Sequence, residues 1–422
     1  MLDINFIREN KDLIDDAARK KHISFNVGAF LSLDDKRRKL LSEVEERRSE
    51  QNSYNQKIAQ ASIVEKAALI QDMQALKEPL SKLEEELKEI MKEWQKLMLS
   101  VPNIPDMSVP EGEDDTSNKE IRAWGKKPRF SFKPKDHKIL MEGLNILDTK
   151  KGAELAGFRG YFLKGDGALL NVALWRFVMD SILPKGFQFM IAPSLLRREA
   201  FMGTGYLPQG EDDLYKTQDG DYLAGTGEVG AMGYFMDKVF DKSELPIKIL
   251  AFSPCFRREA GSYGRDVQGI FRVHEFFKLE QIVLCEADHN ITVSFHEEIT
   301  KNAEEILQKL SIPYRVVINC GGDLGLGQVK KYDIESWIPS QETYRETHSS
   351  SYFHDFQTRR LNIKYRDSDG RLKFVHSLNN TAIATPRIAI PLIENFQRED
   401  GSISIPEALR VYMQGKENLK KS

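Results

Sequence analysis

The stretch from Asp34 to Ser100 contains no glycine and a single proline, Pro79, and this most limits what the chain can fold into. Such a composition favours long helices. Apolar residues between Leu69 and Leu97 recur in alternating steps of four and three, which is the spacing of a heptad seam. The pattern predicts two long helices that separate near Ala61–Ile63 and pair antiparallel. Pro79 predicts a kink in the second helix.

The charge of this stretch leaves its role open. It carries 13 Lys/Arg and 14 Asp/Glu among 67 residues, and basic clusters such as Lys36–Lys39 are interleaved with acids. One interpretation is a coiled coil that dimerises or acts as a spacer, and the other is an arm that touches an extended partner. A short helix and a turn around Gly28 are predicted before it. The proline-rich, acidic segment Val101–Asp115 is the best domain boundary in the chain.

Composition excludes several classes of protein. With 41% hydrophobic residues and a net charge of −3 in 422 residues, the chain is neither disordered nor basic throughout. Three scattered cysteines form no CxxC pair, which argues against a disulfide scaffold or a structural zinc site. The N-terminus lacks a signal-peptide core, and no apolar run approaches the ~20 residues that span a bilayer. We therefore expect a soluble, cytoplasmic protein without a membrane partner.

From about Ile121 the chain becomes rich in glycine and in short β-prone stretches. Among them are GFQFMIAP, IKILAFSP, GIFRVHEFFKLEQIVL and SYFHDFQTRRLNIKY. Helical stretches are predicted at Ala168–Leu183 and His296–Leu310. Because hairpin-length turns outnumber crossover helices, the pattern favours an α+β domain with an antiparallel sheet flanked by helices. No GxxxxGK[ST] loop and no GxGxxG after a strand is present, so side chains must hold any nucleotide.

The densest chemistry lies in Phe252–Gln281, which is predicted as a strand, a glycine-containing loop and a second strand. Arginines and acids alternate along it, and the set comprises Arg257, Arg258, Glu259, Arg265, Asp266, Arg272 and Glu280. The planar fork of arginine suits phosphate. Alternation would place Phe271, Val273, Glu275 and Phe277 on one face of the second strand and Arg272, His274, Phe276 and Lys278 on the other. A solvated hairpin with incidental charges is the alternative interpretation.

Two further groups lie towards the C-terminus. Arg387 stands where a polar stretch runs into an apolar helix, and Glu346 and Ser349 lie just before a β-prone run. A carboxylate and a hydroxyl are hard oxygen ligands that suit Mg²⁺ bridging phosphates. Together with the arginines, they suggest nucleotidyl transfer on an antiparallel sheet.

Six motifs in order carry a resemblance to a known family. They are the helical arm, MGTGYLPQGEDDLY, GTGEV, the FSPCFRREAG…GIFRVHEFFKLEQ segment, DFQTRR and IENFQREDGSISIPEALRVYM. Over essentially its whole length the chain resembles the seryl-tRNA synthetase family of class II aminoacyl-tRNA synthetases. The resemblance implies an N-terminal two-helix antiparallel coiled-coil arm (1–110) followed by a class II antiparallel-sheet catalytic domain (111–422). It also implies a homodimer formed through the first class II motif, which Ala168–Leu183 and GFQFMIAP resemble.

The resemblance implies an ATP- and Mg²⁺-dependent serine–tRNA ligase. Arg257 would grip the α-phosphate, Arg387 the γ-phosphate, Glu259 the adenine amino group, and Phe276 would stack on the ring. The catalytic set would be Arg257, Arg387 and Glu346, with Mg²⁺ at Glu346 and Ser349. The full set of ATP-binding residues comprises Arg257, Arg258, Glu259, Val273, Phe276, Glu346, Thr347, His348, Ser349 and Arg387.

L-serine would be bound by Thr226, Gly227, Glu228, Glu280, Asn379 and Thr381. Which of the carboxylates of Glu228 and Glu280 faces the serine ammonium and which the hydroxyl stays open. No protein nucleophile is expected, so Cys255 is predicted to be packed, and His274 has no partner motif. The arm would grip tRNA(Ser), and the family would also allow tRNA(Sec).

The chain departs from the family at a few positions. His348 stands for a serine, Tyr352 for an asparagine, and NNTAIATPR for NGSGLAVGR, so that Ala382 and Pro386 replace glycines. These changes put backbone contacts around the phosphates in doubt, together with contacts from Thr347 and His348.

Two other interpretations of the function remain. One is a paralogue that activates an amino acid for an acceptor other than tRNA, and the other is a non-catalytic RNA-binding protein that kept the fold.

Overall fold

The computed structural model describes residues 1–421 except 262, 263, 265 and 267. Arg265, one of the arginines singled out above, therefore lies outside the described residues. The chain divides into two compact units. One consists of Leu2–Arg19 and Ile23–Pro102, and the other of Met1, Lys20–His22 and Asn103–Ser422. The boundary predicted at residue 110 stays a prediction. No helix of the described residues is long and apolar enough to cross a membrane.

The first unit is helical. Its helices are α1 (Ile4–Glu9), α2 (Lys11–Lys20), α3 (Val27–Gln60) and α4 (Ile63–Met98). The predicted division near Ala61–Ile63 is confirmed, because Ser62 and Glu65 form a capping box that starts α4. The turn predicted around Gly28 was wrong. Asn26 caps α3 by accepting a hydrogen bond from the Ala29 N–H, so Gly28 lies inside the first helical turn.

The two long helices pair antiparallel, as predicted. Phe30 of α3 lies beside Trp94 of α4, with ring centroids 6.2 Å apart, whereas Arg48 forms an ion pair with Glu84 at 2.7 Å. Residue numbers thus rise along one helix as they fall along the other. Every seam residue of the predicted heptads is buried or half-buried. Helix α4 continues through Pro79 as a single element.

The second unit contains the remaining helices and all the strands of the described residues. The helices are α5 (His137–Gly143), α6 (Thr149–Ala156), α7 (Asp166–Ile182), α8 (Arg198–Thr204), α9 (Gly227–Tyr234), α10 (His289–Lys309), α11 (Phe356–Leu361), α12 (Ala389–Asn395) and α13 (Glu407–Arg410). The strands are β1 (Lys119–Trp124), β2 (Leu147–Asp148), β3 (Phe162–Leu163), β4 (Gln188–Ile191), β5 (Leu195–Leu196), β6 (Tyr215–Lys216), β7 (Tyr222–Leu223), β8 (Val239–Asp241), β9 (Ile247–Phe256), β10 (Glu275–Cys285), β11 (Tyr314–Ile318), β12 (Lys330–Ile338), β13 (Thr343–His354), β14 (Lys364–Arg366), β15 (Leu372–Phe374), β16 (His376–Thr385), β17 (Ile403–Ser404) and β18 (Asn418–Leu419).

The main sheet has the order β1-β11-β12-β13-β16-β10-β9-β4, and every neighbouring pair is antiparallel except β4 and β9. The predicted α+β class with an antiparallel sheet is confirmed. Its two faces bury different apolar sets, because side chains alternate along a strand. On one face, Leu279 and Val283 of β10 join the core formed with α7 and α10. On the other, Ile282 and Leu284 pack with residues of α9.

Two predicted strands were partly wrong. The second strand of Phe252–Gln281 begins only at Glu275, so Phe271, Arg272 and Val273 lie in the preceding loop rather than on alternating faces. Phe271 and Val273 are nonetheless both buried, since the loop folds back onto the core. In the β-prone run Ser351–Tyr365, the DFQTRR segment instead forms α11 between β13 and β14.

Candidate functional site

Polar side chains occupy one end of the sheet face that α9 covers. Along β10, Phe276, Lys278 and Glu280 share this face with the apolar residues Ile282 and Leu284. The apolar end is packed under α9, whereas the polar end borders two cavities. The alternation of β10 therefore places the aromatic ring, the amine and the carboxylate in one row.

The first cavity, cavity A, has a volume of about 280 Å³. Its lining residues are Arg257, Glu259, Ile270, Phe271, Val273, Phe276, Lys278, Lys331, Glu346, Thr347, Ser349, Thr381, Ala384, Thr385, Pro386 and Arg387. Four of these side chains are cationic and two are carboxylates. The excess of positive charge makes cavity A suited to a ligand with several negative charges.

Two arginines enter cavity A from different elements. Arg257 follows β9, and its Nε and Nη2 donate to the Gly225 carbonyl at 3.3 and 3.2 Å, while its guanidinium lies 5.2 Å from the Phe276 ring centroid. Arg387 follows β16, donates from Nε to the Phe271 carbonyl at 3.2 Å and lies 4.8 Å from the Phe271 ring centroid. Both guanidinium groups are thus fixed by backbone and ring contacts within the chain.

The bulge in β13 determines which of its side chains reach cavity A. Glu346 pairs with Glu335 and His348 with Ile334 of β12, so Thr347 is an extra residue in the ladder. Because of this extra residue, Glu346 and Ser349 line the same cavity although three positions separate them. Burial alone would raise the pKa of Glu346, but the nearby cations Arg387, Lys331 and Arg257 hold it below its ordinary value.

Glu346 and Ser349 fit a Mg²⁺ ion chemically. They offer a carboxylate and a hydroxyl oxygen on one wall of the cationic cavity. Among the described residues, no cluster of three or more His, Cys, Asp or Glu side chains could hold a metal. The carboxylate and the hydroxyl are the kind of ligands that suit Mg²⁺, which is usually held by one or two carboxylates and completes its shell with water and substrate phosphates.

Glu259 closes another part of cavity A. Its backbone has φ of 55°, in the left-handed region. The carboxylate accepts a hydrogen bond from Arg272 Nη1 at 2.5 Å, and Arg159 lies 3.9 Å away. A positive φ is uncommon for a residue other than glycine. Arg272 and Arg159 hold the Glu259 carboxylate against the cavity.

The second cavity, cavity B, also has a volume of about 280 Å³. Its lining residues are Thr204, Gly205, Tyr206, Gly210, Thr226, Glu228, Arg257, Lys278, Glu280, Gly325, Leu326, Gly327, Gln328, Ser349, Ser351, Phe353, Gln357 and Asn379. Arg257, Lys278 and Ser349 line cavity A as well. Two ligands bound in the two cavities would therefore meet at these three side chains.

The two carboxylates of cavity B have different partners. Glu228 accepts hydrogen bonds from Gln357 Nε2 at 2.7 Å and from the Tyr206 hydroxyl at 3.1 Å. Glu280 is paired with Lys278, and burial raises its pKa above the ordinary value even beside this amine. Thr226 caps α9 by accepting from the Glu228 N–H, which fixes the position of Glu228 relative to the sheet.

The structure brings most of the predicted site residues together, but not all of them. Arg258 is exposed and donates from Nη1 to the Asp212 carbonyl at 3.0 Å, away from both cavities. His348 is buried and lines neither cavity. Gly227 lies in the first turn of α9, also outside both linings. His274 likewise borders neither cavity, and its Nδ1 lies 3.0 Å from the Arg257 carbonyl oxygen.

Cys255 and the departures noted in the sequence have ordinary structural settings. Cys255 is buried next to Ser253, and burial raises the pKa of its thiol, as expected for a packed cysteine. The Tyr352 hydroxyl donates to Asp106 at 2.8 Å. Pro386 lines cavity A and Ala382 is part of the core.

Sequence reasoning missed three groups that belong to the site. Lys331 of β12 lines cavity A and forms an ion pair with Asp333 at 3.0 Å. Lys278 was placed on the correct face of β10 but was given no role. Gln357 of α11 could not be found, because the segment was predicted as a strand. Lys278 had a detectable signal, since it lies two residues before Glu280 and hence on the same face.

Comparison with known proteins gives consistent matches over the whole chain. Residues 1–105 match the family model described as the seryl-tRNA synthetase N-terminal domain. Residues 214–396 match that of the tRNA synthetase class II core domain (G, H, P, S and T). A serine–tRNA ligase of Deinococcus radiodurans is 43% identical over 420 residues, with 99% of each chain covered. One from Syntrophomonas wolfei is 39% identical, covering 100% of this chain and 99% of the relative.

Comparison with solved structures also finds members of the seryl-tRNA synthetase family. The seryl-tRNA synthetase of Pyrococcus horikoshii, complexed with ATP, superimposes with a TM-score of 0.90 at 37% identity and covers 100% of both chains. The cytoplasmic serine–tRNA ligase of Naegleria fowleri, in complex with AMP, gives 0.87 at 33% identity and covers 100% of this chain and 99% of that one.

Proposed function

The chain belongs to the seryl-tRNA synthetase family, and from this premise we propose that it activates L-serine with ATP and transfers it to the 3′ end of tRNA(Ser). The observation that carries the proposal is the pair of cavities that share Arg257, Lys278 and Ser349. One is strongly cationic, as a triphosphate requires. The other holds two carboxylates, as a ligand with an ammonium and a hydroxyl requires.

We assign ATP to cavity A. Phe276 offers a ring for stacking, Glu259 an acceptor for an amino group, and Arg257 and Arg387 the donors for phosphate oxygens. Val273 and Thr347 complete the wall. Glu346 and Ser349 would hold Mg²⁺, which when bound would neutralise phosphate charge. Of the ATP residues predicted from the resemblance, Arg258 and His348 have no part in this assignment.

We assign L-serine to cavity B. Its polar lining includes Thr226, Glu228, Glu280 and Asn379. Thr381, the remaining serine residue implied by the resemblance, lines cavity A instead. Alanine would leave the partners of the serine hydroxyl unpaired, which costs more than the loss of one hydrogen bond.

The chemistry needs no nucleophile from the protein. The serine carboxylate attacks the α-phosphorus of ATP, an O–P bond forms, and pyrophosphate leaves. A hydroxyl of the terminal adenosine of tRNA then attacks the carbonyl carbon of the seryl-adenylate, and AMP leaves. Arg257, at the junction of the two cavities, would stabilise the charge that develops on the α-phosphate, and the fixed cavity walls would orient the reactants.

The assembly is also part of the proposal. The arm α3–α4 would contact tRNA through backbone and shape, and the same fold would admit tRNA(Sec). Two copies would join through α7 and β4, where Val172 and Ile191 are exposed apolar residues. A groove of about 550 Å³ lies beside α7. Residues 1–110 would form the tRNA-binding domain and 111–422 the catalytic domain. The enzyme would act in the cytoplasm, where tRNA is charged.

Serine-dependent exchange of labelled pyrophosphate into ATP tests the proposal. We expect exchange with serine and far less with threonine, alanine or glycine. Charging of tRNA(Ser) transcript is measured in parallel. Exchange without charging would favour the paralogue with another acceptor, and the absence of both would favour the non-catalytic RNA-binding protein and refute the proposal.

A further inference from the structure

Lys21 is a buried cation that reaches the wall of cavity B. It belongs to the same compact unit as the sheet and is only 3% exposed. Its Nζ donates to the carbonyls of Gly325 at 3.0 Å, Leu326 at 2.9 Å and Gln328 at 2.5 Å. These residues are part of the lining of cavity B.

Burial of the Lys21 ammonium group has a cost in free energy that no carboxylate partner among the described residues offsets, which suggests that the residue is kept to hold this loop. Within the described part of the chain no carboxylate lies at ion-pair distance from its nitrogen, and burial lowers its pKa well below the ordinary value. An ammonium group has three N–H donors, and the three carbonyls use all of them. Burying a lysine without an anion is unfavourable. All of its hydrogen bonds are thus directed to one four-residue segment.

Asn103 completes the same arrangement. Its Nδ2 donates to the Gly327 carbonyl at 2.9 Å, and its backbone N–H donates to the Leu326 carbonyl at 2.9 Å. Four successive carbonyls, from Gly325 to Gln328, therefore accept hydrogen bonds from Lys21 or Asn103. The segment has no regular secondary structure, so these bonds replace the ladder or helix that would otherwise fix it.

We propose that Lys21 is a positioning residue for the amino-acid cavity: by holding the carbonyls of 325–328, it fixes one wall of cavity B. The inference rests on the proposed function, in which cavity B takes serine. Lys21 lines neither cavity, and its three acceptors lie outside the lining of cavity A. Its loss should therefore weaken serine binding and leave ATP binding unchanged.

The experiment uses the full chain and compares Lys21→Met, Lys21→Arg and the control Lys11→Met, an exposed lysine of α2. Pyrophosphate exchange gives KM for serine at saturating ATP and KM for ATP at saturating serine. We expect Lys21→Met to raise the serine KM about ten-fold or more, since small displacements of a binding wall have effects of this order. The ATP KM should stay within about two-fold, and Lys11→Met should match the parent chain.

Lys21→Arg keeps donors but not the compact ammonium, so a smaller rise in the serine KM is expected. An unchanged serine KM in Lys21→Met, or equal rises for serine and ATP, would overturn the inference. If Lys21→Met does not fold, Lys21→Arg decides, and an unchanged serine KM there overturns it. Absence of serine-dependent exchange in the parent chain would instead refute the proposed function.

Discussion

Replacement of Arg257 by alanine should remove most of the rate of adenylate formation. Nε and Nη2 of this side chain donate to the Gly225 carbonyl, which leaves three of the five guanidinium N–H groups for a ligand. Two charge-assisted bonds to phosphate, at about 1.5–3 kcal/mol each, amount to about 3–6 kcal/mol. If these bonds are made in the transition state, the exchange rate should fall by about 10²–10⁴.

The adjacent Arg258 is the matched control. Both residues are arginines after β9, but Arg258 is exposed and bonded to the Asp212 carbonyl rather than facing a cavity. Arg258→Ala should therefore retain exchange to within about three-fold, as is usual for exposed polar contacts. Arg257→Lys keeps the charge but loses the bidentate fork, so its rate should lie between those of Arg257→Ala and the parent chain.

Serine-dependent pyrophosphate exchange under saturating substrates measures the effect, and thermal unfolding shows that each variant is folded. Exchange by Arg257→Ala within ten-fold of the parent rate would refute the assignment of this side chain to the α-phosphate. Equal losses in Arg257→Ala and Arg258→Ala would show that local folding of the segment, rather than contact with ATP, sets the rate.

Three other predictions follow from the structure. Glu346→Gln should raise the Mg²⁺ concentration for half-maximal exchange by about ten-fold or more with little change in the serine KM, and an unchanged Mg²⁺ dependence would contradict the metal assignment. Replacement of 34–100 by a short turn should preserve exchange and abolish tRNA charging, because the antiparallel pairing of α3 and α4, seen in the intact chain where Phe30 lies beside Trp94, brings both ends of the replaced segment to the same end of the arm. Retained charging would make the arm a spacer. Burial lowers the pKa of His296 from 6.5 to about 4. Between pH 6.5 and pH 4 the unfolded chain therefore binds a proton at this residue and the folded chain does not, which lowers the free energy of unfolding by about 3 kcal/mol. His296→Phe should reduce this fall in the free energy of unfolding, measured by urea titration at pH 7 and 4.5, and an identical fall in the variant would exclude His296 as a source.

Much of the architecture could be predicted from local patterns in the sequence. The heptad steps of α4 are a property of one helix, and so is the alternation along β10 that aligns Phe276, Lys278 and Glu280. Arg257 and Arg387 could be proposed as phosphate ligands because they lie in recognisable motifs. These features depend on residues close together in the chain.

The remainder depends on contacts between distant segments. Nothing in the sequence around Thr347 signals a bulge, because the extra residue is defined only by pairing with β12. Lys331 gains its role from a neighbouring strand, and Gln357 from helix α11, which has β-prone residues on both sides. Lys21 lies 304 positions before Gly325 in the chain, so no spacing rule could connect them.

The three side chains common to both cavities have a thermodynamic consequence. Arg257, Lys278 and Ser349 line both cavities, so any shift of these side chains towards a ligand in cavity A would also change the wall of cavity B. If ATP binds in cavity A and serine in cavity B, contact with the same side chains would couple their affinities, and linkage requires that each changes the dissociation constant of the other by the same factor. Occupancy by ATP would thus tune how strongly the amino acid is held, and the order in which the substrates arrive could not alter the total binding free energy.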